Sequence, residues 1–244
     1  MVRNEFYGRI IEAGERKDFE AVKKLALEYE KAINDDPTEE DYKNLGNAYL
    51  LLSEFKEAIA RYQKALQLNP NYGDAYTNLG AVYNLIGMPH DALAYLQRAL
   101  QLNPNDDEVY NNLGTTHVQL YTMNAANLND AFRYYKGALE INPNNLKAVG
   151  NLGCAYVIGG APDEGLPYLE KAIKTDKDNP DLYKALGIAY YSLGQYTKGR
   201  KNLEKALKLY TEKRDGKEIE EIEQALKNFS RVEKDNSGNS QQRY

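Results

Sequence analysis

Apolar residues along most of this chain recur three or four positions apart, the spacing that gathers them on one face of a helix. The helical stretches are punctuated. Pro37, Pro70, Pro104 and Pro143 each close one, in runs such as Leu66-Gln67-Leu68-Asn69-Pro70. Proline lacks a backbone N–H and restricts the residue before it, so each is a natural helix stop. Leu-Gly pairs recur at Leu45-Gly46, Leu79-Gly80, Leu113-Gly114, Leu152-Gly153 and Leu186-Gly187, at intervals of 34, 34, 39 and 34 residues. Three residues before each pair stands Tyr42, Tyr76, Tyr110, Val149 or Tyr183; three after each glycine stands Tyr49, Tyr83, His117, Tyr156 or Tyr190. A small residue follows (Ala58, Ala92, Ala131, Gly165, Gly199), then a large one (Tyr62, Leu96, Tyr135, Leu169, Leu203), then a closing alanine (Ala65, Ala99, Ala138, Ala172, Ala206).

The pattern predicts paired helices. The glycine of each Leu-Gly pair lets two helix backbones approach, and the alanines do the same from the second helix. One such hairpin cannot cover its own apolar face, so stacked neighbours must supply the cover. Residues 1–37 hold a less regular pair without Leu-Gly, carrying Tyr7, Ile10, Ile11 and Ala13, then Phe19, Val22, Leu25, Ala26, Tyr29 and Ala32. Pro37 closes that pair in phase, so it reads as an N-terminal capping unit. The third unit is five residues longer than the others, with the excess falling between His117 and Ala131. After the fifth unit, Ile219, Ile222, Leu226, Phe229 and Val232 form one stripe, which fits a terminal capping helix over 215–233. The remaining segment, 234–244, has nothing to bury and is expected to be disordered.

This arrangement resembles the tetratricopeptide repeat, a 34-residue helix–turn–helix unit with an aromatic residue, Leu-Gly, Tyr, Ala, a second aromatic, Ala and Pro at fixed places. The resemblance covers five repeats within 39–214, at 39–72, 73–106, 107–145, 146–179 and 180–213. Tyr or Val replaces the family's usual first Trp, and Lys177 and Thr211 replace the closing Pro of the last two repeats. It implies an all-α solenoid of antiparallel helix pairs in a right-handed superhelix, whose first helices line a concave face that docks peptides or proteins.

The 244 residues carry 31 basic and 36 acidic side chains, a net charge of −5, which gives no reason to expect nucleic acid. No apolar run of about 18 residues is present to cross a membrane, and the first residues have no apolar secretory stretch. The single cysteine, Cys154, makes neither an internal disulfide nor a four-ligand zinc site, and a reducing cytoplasm is the expected compartment. Two histidines and no tryptophan leave little for acid–base or nucleophilic work, so no catalytic residue, metal or cofactor is expected. His117 fills the repeat's usual Tyr place, and Cys154 reads as a space-filler.

The residue before each Leu of the repeat is Asn44, Asn78, Asn112, Asn151 and then Ala185. A primary amide offers two donors and an acceptor, enough to pair with both backbone groups of an extended chain. The series resembles the asparagine ladder in the repeat domain of O-linked N-acetylglucosamine transferases, which implies peptide binding independent of side chains. Helix-start positions carry Glu40, Asp74, Glu108, Lys147 and Asp181. Those acids either favour a basic peptide or complement the helix dipole, worth about 0.3–1 kcal/mol each. Lys43, Asn47 and Asn78 resemble part of the carboxylate clamp of tetratricopeptide co-chaperones, but Glu108 and Asn112 stand where that clamp needs Lys and Arg. Residues 180–214 hold eight basic and three acidic side chains, with Lys198, Arg200, Lys201, Lys205, Lys208, Lys213 and Arg214 among the former. Glu218, Glu220, Glu221 and Glu223 open the next helix and can pair with them. The expected function is a non-catalytic adaptor or scaffold for a protein or peptide partner; the alternatives are self-assembly into a homo-oligomer through the solenoid ends or convex face, and a co-chaperone with a degenerate clamp.

Overall fold

The computed structural model describes residues 2–33, 35–213 and 216–241, with side chains described for all of these except 2, 213 and 230–241. Among the described residues there are thirteen α-helices and no strand. The chain divides into two compact units, 1–127 and 128–244, with the division falling in the turn of the long third repeat. The first unit holds α1 (Val2–Glu15), α2 (Phe19–Ala32), α3 (Glu39–Leu51), α4 (Phe55–Leu68), α5 (Gly73–Leu85), α6 (Pro89–Leu102) and α7 (Asp107–Thr122). The second holds α8 (Leu128–Ile141), α9 (Leu146–Ile158), α10 (Pro162–Thr175), α11 (Pro180–Ser192), α12 (Tyr196–Lys213) and α13 (Gly216–Gln241). Helix α13 thus continues into the segment expected as a tail, of which 242–244 lie outside the described residues. Arg214 of the basic stretch also lies outside them.

Within each unit consecutive helices pack as hairpins, α3 with α4 and α5 with α6, then α9 with α10 and α11 with α12. Gly46, Gly80, Gly153 and Gly187 are where the two helices of these hairpins meet. A Cβ at Gly80 would lie 2.3 Å from Leu96 Cγ, and one at Gly46 would lie 2.4 Å from Tyr62. The large residue of the second helix therefore seats directly on the backbone of the first. Leu96 and Tyr62 are wholly buried, worth about 1.5–3 kcal/mol each in transfer free energy. At one end, α1 and α2 share a single apolar cluster with α3, running from Ile10, Val22 and Tyr29 to Leu45 and Ala48. At the other, Ile222 and Phe229 of α13 cover Leu203, Ala206 and Tyr210 of α12.

The turns obey one rule. Two residues past each first helix, the backbone takes a left-handed conformation: Lys17, Ser53, Gly87, Asn124, Gly160 and Gly194, with φ between 56° and 78°. The N–H of that residue donates to the carbonyl three back and the next N–H to the carbonyl five back, as Ser53 does to Leu50 and Glu54 to Tyr49, both at 2.9 Å. This is the Schellman closure of a helix C-terminus. The five extra residues of the third repeat respect it. Helix α7 has 16 residues where α3, α5, α9 and α11 have 13, and the other two extra residues lengthen the turn after Asn124. Second helices end on a different device: beyond α4, α6 and α8, the side chains of Asn69, Asn103 and Asn142 accept from the N–H two residues on, across the intervening proline.

One buried carboxylate joins the first three helices. Asp41 is 3% exposed, at a position where the other repeats bury Ala75, Val109, Ala148 and Leu182. Its oxygens accept from Tyr29 Oη of α2 at 2.6 Å, Arg3 Nη1 of α1 at 2.8 Å, and the Thr38 amide and hydroxyl at 2.9 and 2.7 Å. Burial opposes ionisation of this carboxyl, but those donors and the Arg3 charge together hold it below its ordinary value.

Two outcomes follow from these features. Ser53→Gly removes a side chain from a left-handed position, and should raise stability by about 0.5–1 kcal/mol in urea unfolding, whereas Gly87→Ser should lower it by a similar amount. Asp41→Asn should lower stability at pH 7 by about 1–3 kcal/mol. Because the folded state depresses the Asp41 pKa, its contribution is complete above the unfolded value near 4 and fades as pH falls through the folded one. The gap between wild type and Asp41→Asn, followed by urea unfolding from pH 7 downward, should therefore narrow below about pH 4.

Candidate functional site

In the first unit, α3, α5 and the start of α7 lie side by side and enclose a polar groove of about 240 Å³. Helical spacing sets its lining: Lys43 and Asn47 one turn apart on α3, Asp74 and Asn78 one turn apart on α5, then Asp106 and Glu108 at the mouth of α7. Lys43 and its neighbours carry one positive charge against three carboxylates. The lysine is already engaged, with Nζ 2.6 Å from Glu40 and 3.8 Å from Asp74. Asp106 caps α7 by accepting from the Glu108 and Val109 amides. Burial works against ionisation of Glu40, but hydrogen bonds from Lys43 and the Tyr72 hydroxyl, with the lysine charge, hold it below its ordinary value.

The predicted site residues divide. Lys43, Asn47 and Asn78 share the groove. Asn47 is held on three sides: its Oδ1 accepts from Tyr62 Oη at 2.7 Å and Asn78 Nδ2 at 3.2 Å, and its Nδ2 donates to Tyr7 Oη at 3.0 Å. It therefore ties α1, α3, α4 and α5 together, while Asn78 keeps its oxygen and one N–H. Asn44 does not line the groove. It is 4% exposed, acts on Tyr29 and Glu40, and has a buried Oδ1 without a hydrogen-bond partner. Asn112 is half-buried with its Nδ2 enclosed and also without a partner. Lys147 and Asn151 belong to the second unit, where α9 to α11 enclose another cavity of about 240 Å³ with Asp176 and Asn179.

A second set of polar contacts escapes the sequence reading. Asn84, 6% exposed in α5, donates from Nδ2 to the Asn112 carbonyl at 3.1 Å and accepts from Thr116 Oγ1 at 2.9 Å, while Gln119 Nε2 donates to the Asn84 carbonyl at 2.9 Å. These bonds pin α5 to α7. The signal was present, since Leu50 and Val118 occupy the equivalent places in the flanking repeats, but nothing local shows which neighbour such an amide meets.

Burial pushes the Cys154 thiol up to about 12, which keeps it protonated and poorly nucleophilic near neutral pH. His90 is exposed at the start of α6 and His117 is half-buried within α7. Among the described residues no group of three or more His, Cys, Asp or Glu side chains is placed to hold a metal ion, and no helix is long and apolar enough to cross a membrane.

Helix hairpins with glycine-seated large residues, stacked so that first helices line grooves, define an all-α helical-repeat protein of the kind that serves as an interaction adaptor or scaffold. Family models agree on which kind. One described as TPR repeat matches residues 46–87, and two described as Tetratricopeptide repeat match 73–106 and 156–214. The chain belongs to the tetratricopeptide-repeat family. Among solved structures it is similar to TTC0263, a thermophilic TPR protein of Thermus thermophilus, at 23% identity, covering 78% of this chain and 99% of that one with a TM-score of 0.65. It is similar to YrrB, described as a TPR protein with an unusual peptide-binding site, at 25% identity over 80% and 96% of the two chains with a TM-score of 0.51. MamA is a third, at 27% identity over 70% and 96% with a TM-score of 0.51. A search of curated proteins finds no match.

Proposed function

We propose that the chain is a non-catalytic adaptor that holds an extended segment of a partner protein along the first-helix groove of its first unit, and that the segment carries a lysine or arginine. The observation that carries this reading is the groove's charge: Asp74, Asp106 and Glu108 face a single lysine that Glu40 and Asp74 already engage. The spare amide capacity of Asn78 supports backbone recognition beside that charge. Lys147 and Asn151 line a cavity of the second unit with a comparable pair of side chains. Peptide binding by YrrB lends the reading a precedent in a similar fold. The same charge disfavours a carboxylate clamp, because Asp74 and Glu108 would repel the terminal carboxylate that Lys43, Asn47 and Asn78 would have to hold. A net charge of −5 and a single cysteine suit a cytoplasmic protein partner better than nucleic acid or a membrane.

The test is a paired pull-down from cytosol, quantified by mass spectrometry. Wild type is compared with Asp74→Lys/Asn78→Ala/Glu108→Lys, all groove-lining and none buried in an apolar core, after circular dichroism shows equal helicity. Partners bound in the groove should fall by about tenfold or more on the variant. Equal recovery on both baits would place binding elsewhere. Asn44→Ala serves as the contrast: it should cost about 1 kcal/mol or more of stability through its packing against Tyr29, yet leave groove partners in place.

A further inference from the structure

Two of the carboxylates that open α13 turn to α11 rather than to the basic helix before it. Glu218 and Glu221 both pair with Lys184 of α11, the latter at 2.9 Å. Lys201 and Lys205 of α12 turn instead toward α10 and α11. There, α10, α11 and α12 enclose an open groove of about 570 Å³ into which Lys174, Lys201 and Lys205 project. Among the described residues no carboxylate pairs with any of the three. The one acid in the lining, Glu170, accepts a hydrogen bond from the Tyr190 hydroxyl, which burial and that carboxylate together push up to about 12. The floor is apolar, formed by the wholly buried Leu186 and the half-buried Ile173.

We propose that this groove is a second docking site, separate from the first-unit groove, that takes an acidic peptide segment with an apolar side chain between its carboxylates. Three unpaired ammonium groups around an apolar floor present that chemistry in complement. Lys205 and Lys201 sit one turn apart on α12, and Lys174 reaches the groove from α10, so carboxylates on either flank of a seated leucine meet a lysine. The tyrosines decide against a nucleic acid. Lys205 Nζ lies over the Tyr183 ring at 5.8 Å and Lys198 Nζ over the Tyr190 ring at 5.1 Å, so a stacking base would have to displace an ammonium from each.

The probe is a fluorescein-labelled dodecapeptide of four Glu-Glu-Leu repeats, titrated with the full chain by fluorescence anisotropy at low salt. Two controls accompany it, the Lys-Lys-Leu counterpart and a twelve-residue oligothymidylate. Wild type should bind the acidic peptide saturably and more tightly than either control, with affinity falling as salt rises. Lys201→Glu/Lys205→Glu should weaken it by about tenfold or more, and Lys174→Glu, on a different helix, should weaken it as well. Lys208→Glu, an exposed lysine of α12 beside Glu212 and outside the groove, should leave affinity within about twofold. Absent saturable binding, an equal loss in Lys208→Glu, or unchanged affinity in the double variant overturns the proposal. So does tighter binding of the oligothymidylate, lost in the same variants, which would make the groove a nucleic-acid surface.

Discussion

Four hairpins of this protein, α3–α4, α5–α6, α9–α10 and α11–α12, depend on one contact: a large side chain of the second helix resting on a glycine of the first. The contact leaves no room for even a methyl group at Gly46 or Gly80 in the first unit, or at Gly153 or Gly187 in the second. The glycine thereby fixes how near the two helices of a hairpin come. Close packing then transmits that spacing along the unit, since a dense interior cannot absorb a shift locally. The Schellman turns complete the constraint by closing every first helix on the same backbone path, the longer α7 included.

Grooves are the consequence of this spacing. With helices held at a fixed separation, positions one turn apart on α3 and α5 meet across a gap that polar side chains fill, and the chain places Lys43, Asn47, Asp74 and Asn78 there. Some of that polarity is structural. Asn47 is consumed by Tyr7, Tyr62 and Asn78, and Asp41 by Tyr29, Arg3 and Thr38; both act as ties between helices. What remains accessible is mainly acidic in the first unit and basic between α10 and α12 of the second. One chain of modest net charge thus presents two surfaces of opposite sign.

The repeat period made the helices, their pairing and the family legible, because Leu79-Gly80 and Leu96 must recur wherever the same close approach recurs. The period is silent where a repeat departs from itself. Asp41 stands where other repeats bury Ala, Val or Leu, and only the packing of α1 and α2 against α3 shows that this irregularity is a buried polar tie. The ladder was harder to read. Asn44 and Asn78 occupy one repeat position, yet the first is buried near Tyr29 while the second reaches Asn47, because each amide answers to a different neighbour. Similarly, the acids after α12 looked adjacent to its lysines along the chain. Glu218 and Glu221 pair across helices instead, with Lys184 of α11.

The most direct test of the account is a double-mutant cycle at Gly80 and Leu96, read by urea unfolding. Leu96→Ala alone should cost about 2–5 kcal/mol, and Gly80→Ala alone about 1–3 kcal/mol from the clash it creates. If the large residue rests on the glycine, the added methyl of the double variant enters the space that Leu96 vacates. The double variant should then be more stable than the sum of the single losses requires, by about 1 kcal/mol or more. Additivity within about 0.5 kcal/mol would mean that the two positions do not share a contact, and that the spacing of the hairpins is set elsewhere.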